Sequence, residues 1–234
     1  MTLFSTGLAA QQSRLVEDSR ISPPWRFPSR QAATVYLTHA AIVGILFVIG
    51  YGGANWLAAE RELHAQIYWD AELAIPLLPQ MIWVYLSINL LFVLPVFRLE
   101  IPELRLLGRR MIAATLIAVA VFVAMPTTLG FARLDLSDNA NIAFELLYAL
   151  DHPFNCAPSL HVAYSTLIVL AVARGGRPWL KLLFAGWLAL ITASTVLIHQ
   201  HHLIDIGAAH LMIGGILLVS RQAAGSTPKP ETLS

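Results

Sequence analysis

Two short segments place titratable side chains where apolar stretches of the chain begin and end. The first is Asn155-Cys156-Ala157-Pro158-Ser159-Leu160-His161-Val162. A proline loses no hydrogen bond in the first turn of a helix and a serine can cap it, so Pro158 and Ser159 suit a helix start. Free backbone N–H groups at such a start form an anion site, with His161 just inside it. The second segment runs Ser194-Thr195-Val196-Leu197-Ile198-His199-Gln200-His201-His202-Leu203-Ile204-Asp205. His201 and Asp205 stand four apart and share a face where the turn is helical. A carboxylate bonded to one imidazole nitrogen fixes the tautomer and raises the basicity of the other nitrogen, which is the support a nucleophilic histidine needs. His161 then serves as general acid on a leaving group. Two plainer readings use the same side chains: a structural His–Asp pair sealing a helix end, and a zinc ion held by His161, His201 and Asp205.

The elements that must position these residues are apolar. Of the 234 residues, 57% are hydrophobic and 12% charged, against about 25% charged in a soluble domain. Six stretches approach the length that crosses a hydrocarbon core of about 30 Å. They are Ala33–Tyr51, Leu73–Phe97, Met111–Met125, Ser159–Ala173, Trp179–Ile198 and Asp205–Ser220. The expected fold is all-α and polytopic, with six transmembrane helices. Residues 1–32 form a polar N-terminal segment, 33–220 one membrane domain, and 221–234 a disordered tail.

With both termini on one side, Arg61 and Arg133 are the only basic residues on the other side, and the remaining thirteen of fifteen share the terminal side. Basic residues favour the cytoplasm, so both termini are expected there. The loop Pro126–Pro158 and the turn His199–Ile204 then fall on the periplasmic, extracellular or lumenal face. Glu60, Glu62, Asp70 and Glu72 read as a solvated acidic face there, and Asp151 and Asn155 as helix caps. The single cysteine, Cys156, excludes an internal disulfide. A net charge of +1, with no basic run interleaved with aromatics, gives no support for nucleic-acid binding.

Pro158-Ser159-Leu160-His161, followed by Ser194-Thr195-x5-His201-x3-Asp205, resembles the second and third signatures of the type 2 phosphatidic acid phosphatase superfamily. The wording Asp151-x-Pro153-x-Asn155-x-x-Pro158-Ser159-Leu160-His161-Val162 is similar to the branch containing inositol phosphorylceramide synthases. The resemblance implies a six-helix membrane core acting on a phospholipid or lipid phosphate, without a metal or other cofactor. It implies that His201 is the nucleophile, forming a phosphohistidine, and that Asp205 orients it. His161 would protonate the leaving oxygen and then activate the acceptor. Ser159, Arg133, Ser194 and Thr195 become the substrate-binding candidates.

The sequence departs from that family at three places. Pro126-x6-Arg133-Leu134 keeps the arginine of the family's first signature, K-x6-R-P, but not its lysine or proline. Thr195 replaces the arginine of the third signature, and Leu160 the usual glycine of the second. A phosphate monoester carries nearly two charges and benefits from several cations, whereas a diester carries one. The thin clamp therefore tilts the expectation towards a diester and head-group transfer, with water and an alcohol both open as acceptor. A proton-relaying transporter or flippase is the non-enzyme alternative, although its polar groups would be expected nearer the midplane.

Overall fold

The structure is a computed structural model that describes residues 25–136 and 141–225. The first helix starts where Ser29 accepts the Ala32 N–H on its hydroxyl at 3.1 Å, an N-cap. This helix, α1, runs Arg30–Ala59, and one π turn at Phe47–Tyr51 interrupts it. α2 spans Pro79–Arg98, with a proline at its first position and a break at Ser87. α3, Ile101–Ala124, opens on a reciprocal cap in which the Glu100 N–H donates to Glu103 at 3.0 Å. Then come α4 (Ile142–Leu150), α5 (Leu160–Val172), α6 (Pro178–Leu197) and α7 (Leu203–Gly225). α7 thus continues into the segment expected to be a disordered tail. The rest of that tail and residues 1–24 lie outside the described residues.

Among the described residues five helices, where six were expected, are long and apolar enough to cross a membrane: α1, α2, α3, α6 and α7. The expected fourth span is α5, with 13 residues, or about 20 Å at 1.5 Å per residue. Its environment accounts for the shortness. α5 packs against α2, α3, α6 and α7 and is buried on nearly every side. A helix enclosed by protein has no lipid thickness to match. The irregular chain leading into it is tolerable for the same reason.

The ends of the bundle differ in chemistry. At one end the buried Arg98 donates through Nε to the Val172 carbonyl at 3.1 Å, and Arg26 pairs with Glu100 at 2.6 Å. Arg105, Arg109, Arg110, Arg174, Arg177 and Lys181 belong to the same end by element order. The opposite end is tied by polar contacts between distant loops. Ala65 bridges to Thr127 and Thr128 to Phe154. The Thr127 hydroxyl accepts the Cys156 N–H at 2.8 Å and the Ala157 N–H at 3.3 Å. The segment between α3 and α5, expected as loop, contains the amphipathic α4, which buries Phe144 and Leu147 while Ile142, Leu146 and Leu150 stay exposed.

Candidate active site

Ser159 is the N-cap of α5: its hydroxyl accepts the Val162 N–H at 3.3 Å. Its own N–H donates to the Asp205 carbonyl at 3.2 Å, so the start of α5 is pinned to the start of α7. Pro158 precedes the cap and does not lie in the first turn. His161 follows within the first turn. Its ring stacks on Tyr85 with centroids 3.8 Å apart, and Nε2 lies 3.0 Å from the Tyr85 carbonyl oxygen. A carbonyl only accepts, so Nε2 carries the hydrogen.

That carbonyl is available because α2 breaks at Ser87. The Val84, Tyr85 and Leu86 oxygens take the Ser87 hydroxyl, His161 and the Asn89 amide at 2.6, 3.0 and 2.9 Å. Trp187 Nε1 donates to the Ser87 hydroxyl at 2.9 Å from α6.

His201 sits in the turn between α6 and α7, and the end of α6 shapes it. The His199 N–H donates to the Val196 carbonyl, and the Gln200 N–H to the Thr195 carbonyl at 2.9 Å, with His199 at φ 59°. These are the paired bonds of a Schellman ending, with histidine where glycine is usual. The Thr195 carbonyl also accepts the His201 N–H at 3.0 Å. His201 therefore precedes α7 and is not part of it.

It still reaches Asp205: Nδ1 is 3.2 Å from Oδ2. The same oxygen accepts the His202 N–H at 2.8 Å, so Asp205 also caps α7. With Nδ1 so engaged, His201 Nε2 has no partner among the described residues.

His161 and His201 line one cavity of about 440 Å³, with Asp151, Asn155, Tyr51 and Tyr85 around them. Neither Asp151 nor Asn155 caps α5, as the sequence had suggested. Asp151 accepts a hydrogen bond from the Tyr51 hydroxyl. Burial raises its carboxyl above the usual range, against the pull of Tyr51, His201 and Arg133. Asn155 stands at φ 60° and donates to the Tyr51 carbonyl at 3.3 Å. Burial pushes the neighbouring Cys156 thiol well up, which keeps it protonated.

The substrate-binding candidates are placed differently from one another. Ser159 sits at the α5 start beside His161. Arg133 donates through Nη2 to the Asp151 carbonyl at 2.6 Å and lies 4.5 Å over the Tyr148 ring; its buried Nε has no partner. Ser194 and Thr195 turn back onto their own helix, to the Ile191 and Thr192 carbonyls at 2.6 and 2.8 Å. None of the four candidates is among the residues that line the cavity.

Glu72 was expected on a solvated face and is instead buried, at 3% exposure. It accepts the Leu203 N–H at 2.8 Å and the Trp69 N–H at 3.2 Å, and faces His202 Nδ1 at 3.3 Å. The Gly130 N–H donates to His202 Nε2 at 3.0 Å, so the His202 hydrogen is on Nδ1 and the ring is neutral. Gly130 has to be glycine, because a Cβ there would meet the Tyr68 ring at 2.4 Å. Tyr68, His202, Phe131 and His199 form one continuous stack with spacings of 4.4, 4.3 and 4.1 Å. This stack fixes the loops that carry His201 and Arg133. Nothing local in the sequence marks Glu72, Tyr85 or Tyr51, since each meets its partner across at least 76 residues.

A helical membrane protein with paired histidines and an aspartate at one end of its bundle is the class that fold and site define. Residues 56–219 match the PAP2 superfamily, and the chain belongs to it. Membership supports a phosphatase-type activity on lipid phosphoesters. No curated protein and no solved structure matches the chain significantly.

Proposed function

We propose that this protein is an integral-membrane lipid phosphatase or phosphotransferase that works through a phosphohistidine on His201. The observation that carries the reading is the contact of His201 Nδ1 with Asp205 while its ring lines the same cavity as His161. In the first step His201 Nε2 attacks phosphorus, an N–P bond forms and the P–O bond to the leaving group breaks. His161, protonated for this step, gives its proton to the departing oxygen. In the second step the acceptor hydroxyl returns a proton to His161 as its oxygen bonds phosphorus, and the N–P bond breaks. Asp205 stabilises the cationic imidazole ring in both steps. Ser159 and the N–H groups at the α5 start, with Arg133, receive the phosphate oxygens. Ser194 and Thr195 contribute by shaping the turn that presents His201.

Charge supports a diester substrate. No lysine or arginine lines the cavity among the described residues, where Asp151 adds a carboxylate; Arg133 touches its border only through the Asp151 carbonyl. A monoanionic diester fits such a site better than a dianionic monoester, which favours head-group transfer of the inositol phosphorylceramide synthase kind. Hydrolysis by water is the second reading, favoured by the family match itself. On the basic-residue asymmetry both termini face the cytoplasm and the site opens on the outer side, with α5 as a sixth, short crossing.

Purified protein incubated with phosphate monoesters and phosphodiester lipids, followed by mass analysis, tests this. Free phosphate marks hydrolysis and a new phosphodiester marks transfer. Intact lipid moved to the other leaflet of a vesicle, with no bond broken, would replace the enzyme reading by a transporter.

A further inference from the structure

The cavity does not end at the histidines. From Tyr51, Asp151, His161 and His201 it continues along α1 past Phe47, Val43 and His39 to Tyr36. The distance from Tyr51 to Tyr36 is roughly 22 Å at about 1.5 Å per residue. α2 and α3 supply the opposite walls with Ile88, Phe92, Leu107 and Met111.

Below the catalytic end, the polar groups bond largely within the protein. The Tyr36 hydroxyl donates to the Phe92 carbonyl at 2.6 Å, His39 Nδ1 bonds the Val35 carbonyl at 2.8 Å, and the Tyr164 and Thr115 hydroxyls bond each other at 2.6 Å. Apart from His39 Nε2, a polar ligand would find nothing to pair with there. The volume of about 440 Å³ corresponds to roughly fifteen water-sized groups at about 30 Å³ each, enough for one hydrocarbon chain.

The wall formed by α1 lies outside the residues that match the family. Every α1 residue that lines the cavity precedes residue 56, where the family match begins. α1 is also peripheral, with 11% of its apolar window buried, and it packs mainly on α3. The cavity floor is close-fitting: Gly108 lies so near His39 that a Cβ would fall 2.2 Å from the ring.

We propose that this groove holds one hydrocarbon chain of the substrate, and that Tyr36, His39 and Ala40 near its floor set the chain length accepted. The proposal rests on the phosphoester reading of the site for which chain is held; the groove itself does not depend on it. A chain leaving the phosphate at His201 would run down α1 in the direction of the bilayer interior. Each methylene that gains cover should raise kcat/KM by up to about fourfold, until the floor is reached.

The probe is a 16-carbon alkyl phosphate with a diazirine at its terminal carbon, photolysed with the full chain in lipid nanodiscs. Adducts are mapped by mass, with and without excess unlabelled probe. Competed adducts on Tyr36, His39 or Ala40 are expected, and Ala40→Phe should move them towards Phe47. The same substitution should lower the ratio of kcat/KM for 16-carbon over 6-carbon alkyl phosphate by tenfold or more. Adducts confined to the outward-facing Leu37, Ile45 and Ile49, or an Ala40→Phe variant with unchanged labelling, would overturn the chain site. Labelling needs no turnover. Floor adducts without turnover of any alkyl phosphate or phosphodiester lipid would support the groove and count against the phosphoester reading.

Discussion

Replacing Asp205 by asparagine separates the chemistry of the site from its architecture. Asp205 Oδ2 does two things: it faces His201 Nδ1 at 3.2 Å and it accepts the His202 N–H at 2.8 Å. An asparagine oxygen in the same place can still accept from His202, so the cap on α7 survives. Two smaller losses remain. A charged hydrogen bond becomes neutral, at about 1 kcal/mol, and a negative charge leaves the first turn of a helix, at about 0.5 kcal/mol. The expected cost in stability is therefore about 1–2 kcal/mol, a few degrees in Tm for a chain of this size.

The cost in catalysis is larger. As His201 takes phosphorus its ring becomes cationic beside the carboxylate. At 3.2 Å and an effective dielectric of about 20, a unit charge pair is worth about 5 kcal/mol. Such a pair corresponds to a loss of about 10³–10⁴ in rate. Head-group or phosphate release in detergent micelles gives kcat, and thermal unfolding gives the stability change. A folded Asp205→Asn variant that keeps a tenth or more of kcat would refute the assignment of Asp205 as the partner of a nucleophilic His201.

Three further outcomes are expected. Burial raises the Asp151 carboxyl, so its ionised form opposes folding above the usual carboxylate range; Asp151→Asn should raise Tm at neutral pH while lowering turnover. Burial lowers the imidazole pKa of His202, so the unfolded chain binds a proton that the folded chain refuses; stability should fall as pH drops below about 6.5, and His202→Gln should flatten that slope in thermal unfolding. Ser87→Ala removes the acceptor of Trp187 at the break in α2, and should lower kcat and shift the limb of the pH–rate profile that reports His161, with KM little changed and Ser87→Thr restoring both.

What the sequence made legible follows the range of the interaction. The long apolar runs located α1, α2, α3, α6 and α7, because a lipid-facing helix carries its environment in its own composition. The expected bounds, however, stopped at Tyr51 where α1 reaches Ala59 and began at Met111 where α3 begins at Ile101. α5 was shorter than the pattern requires, since its neighbours and not lipid surround it. α4 was missed because its apolar residues sit in a polar stretch and only Ala143, Phe144 and Leu147 go inward. At the site, His161, His201 and Asp205 were readable from spacing, although the His201–Asp205 contact arises from a cap and not from a helical turn. Glu72 was misread for a simple reason: an acidic residue among other acidic residues gives no local sign that a helix start more than a hundred residues later needs its carboxylate.

The places where this chain breaks local rules converge independently of any family signature. Among the described residues, two non-glycine positions adopt positive φ, and they are Asn155 and His199, which lie beside His161 and His201 in the two histidine-bearing segments. Buried side-chain atoms without a partner are Asn55 Oδ1, Arg133 Nε, Asn155 Oδ1, Thr166 Oγ1 and Asp205 Oδ1. Four of these five belong to the site or to its Tyr51 border. Each such group costs on the order of 1–3 kcal/mol, and a core under no functional demand would have been free to replace them with apolar residues. Their concentration around His161 and His201 means that stability has been given up mainly at one end of the bundle. On the proposed reading a phosphate is received at that end; Arg133 Nε is the one unsatisfied donor there that a phosphate oxygen could meet, while the three oxygens need donors instead.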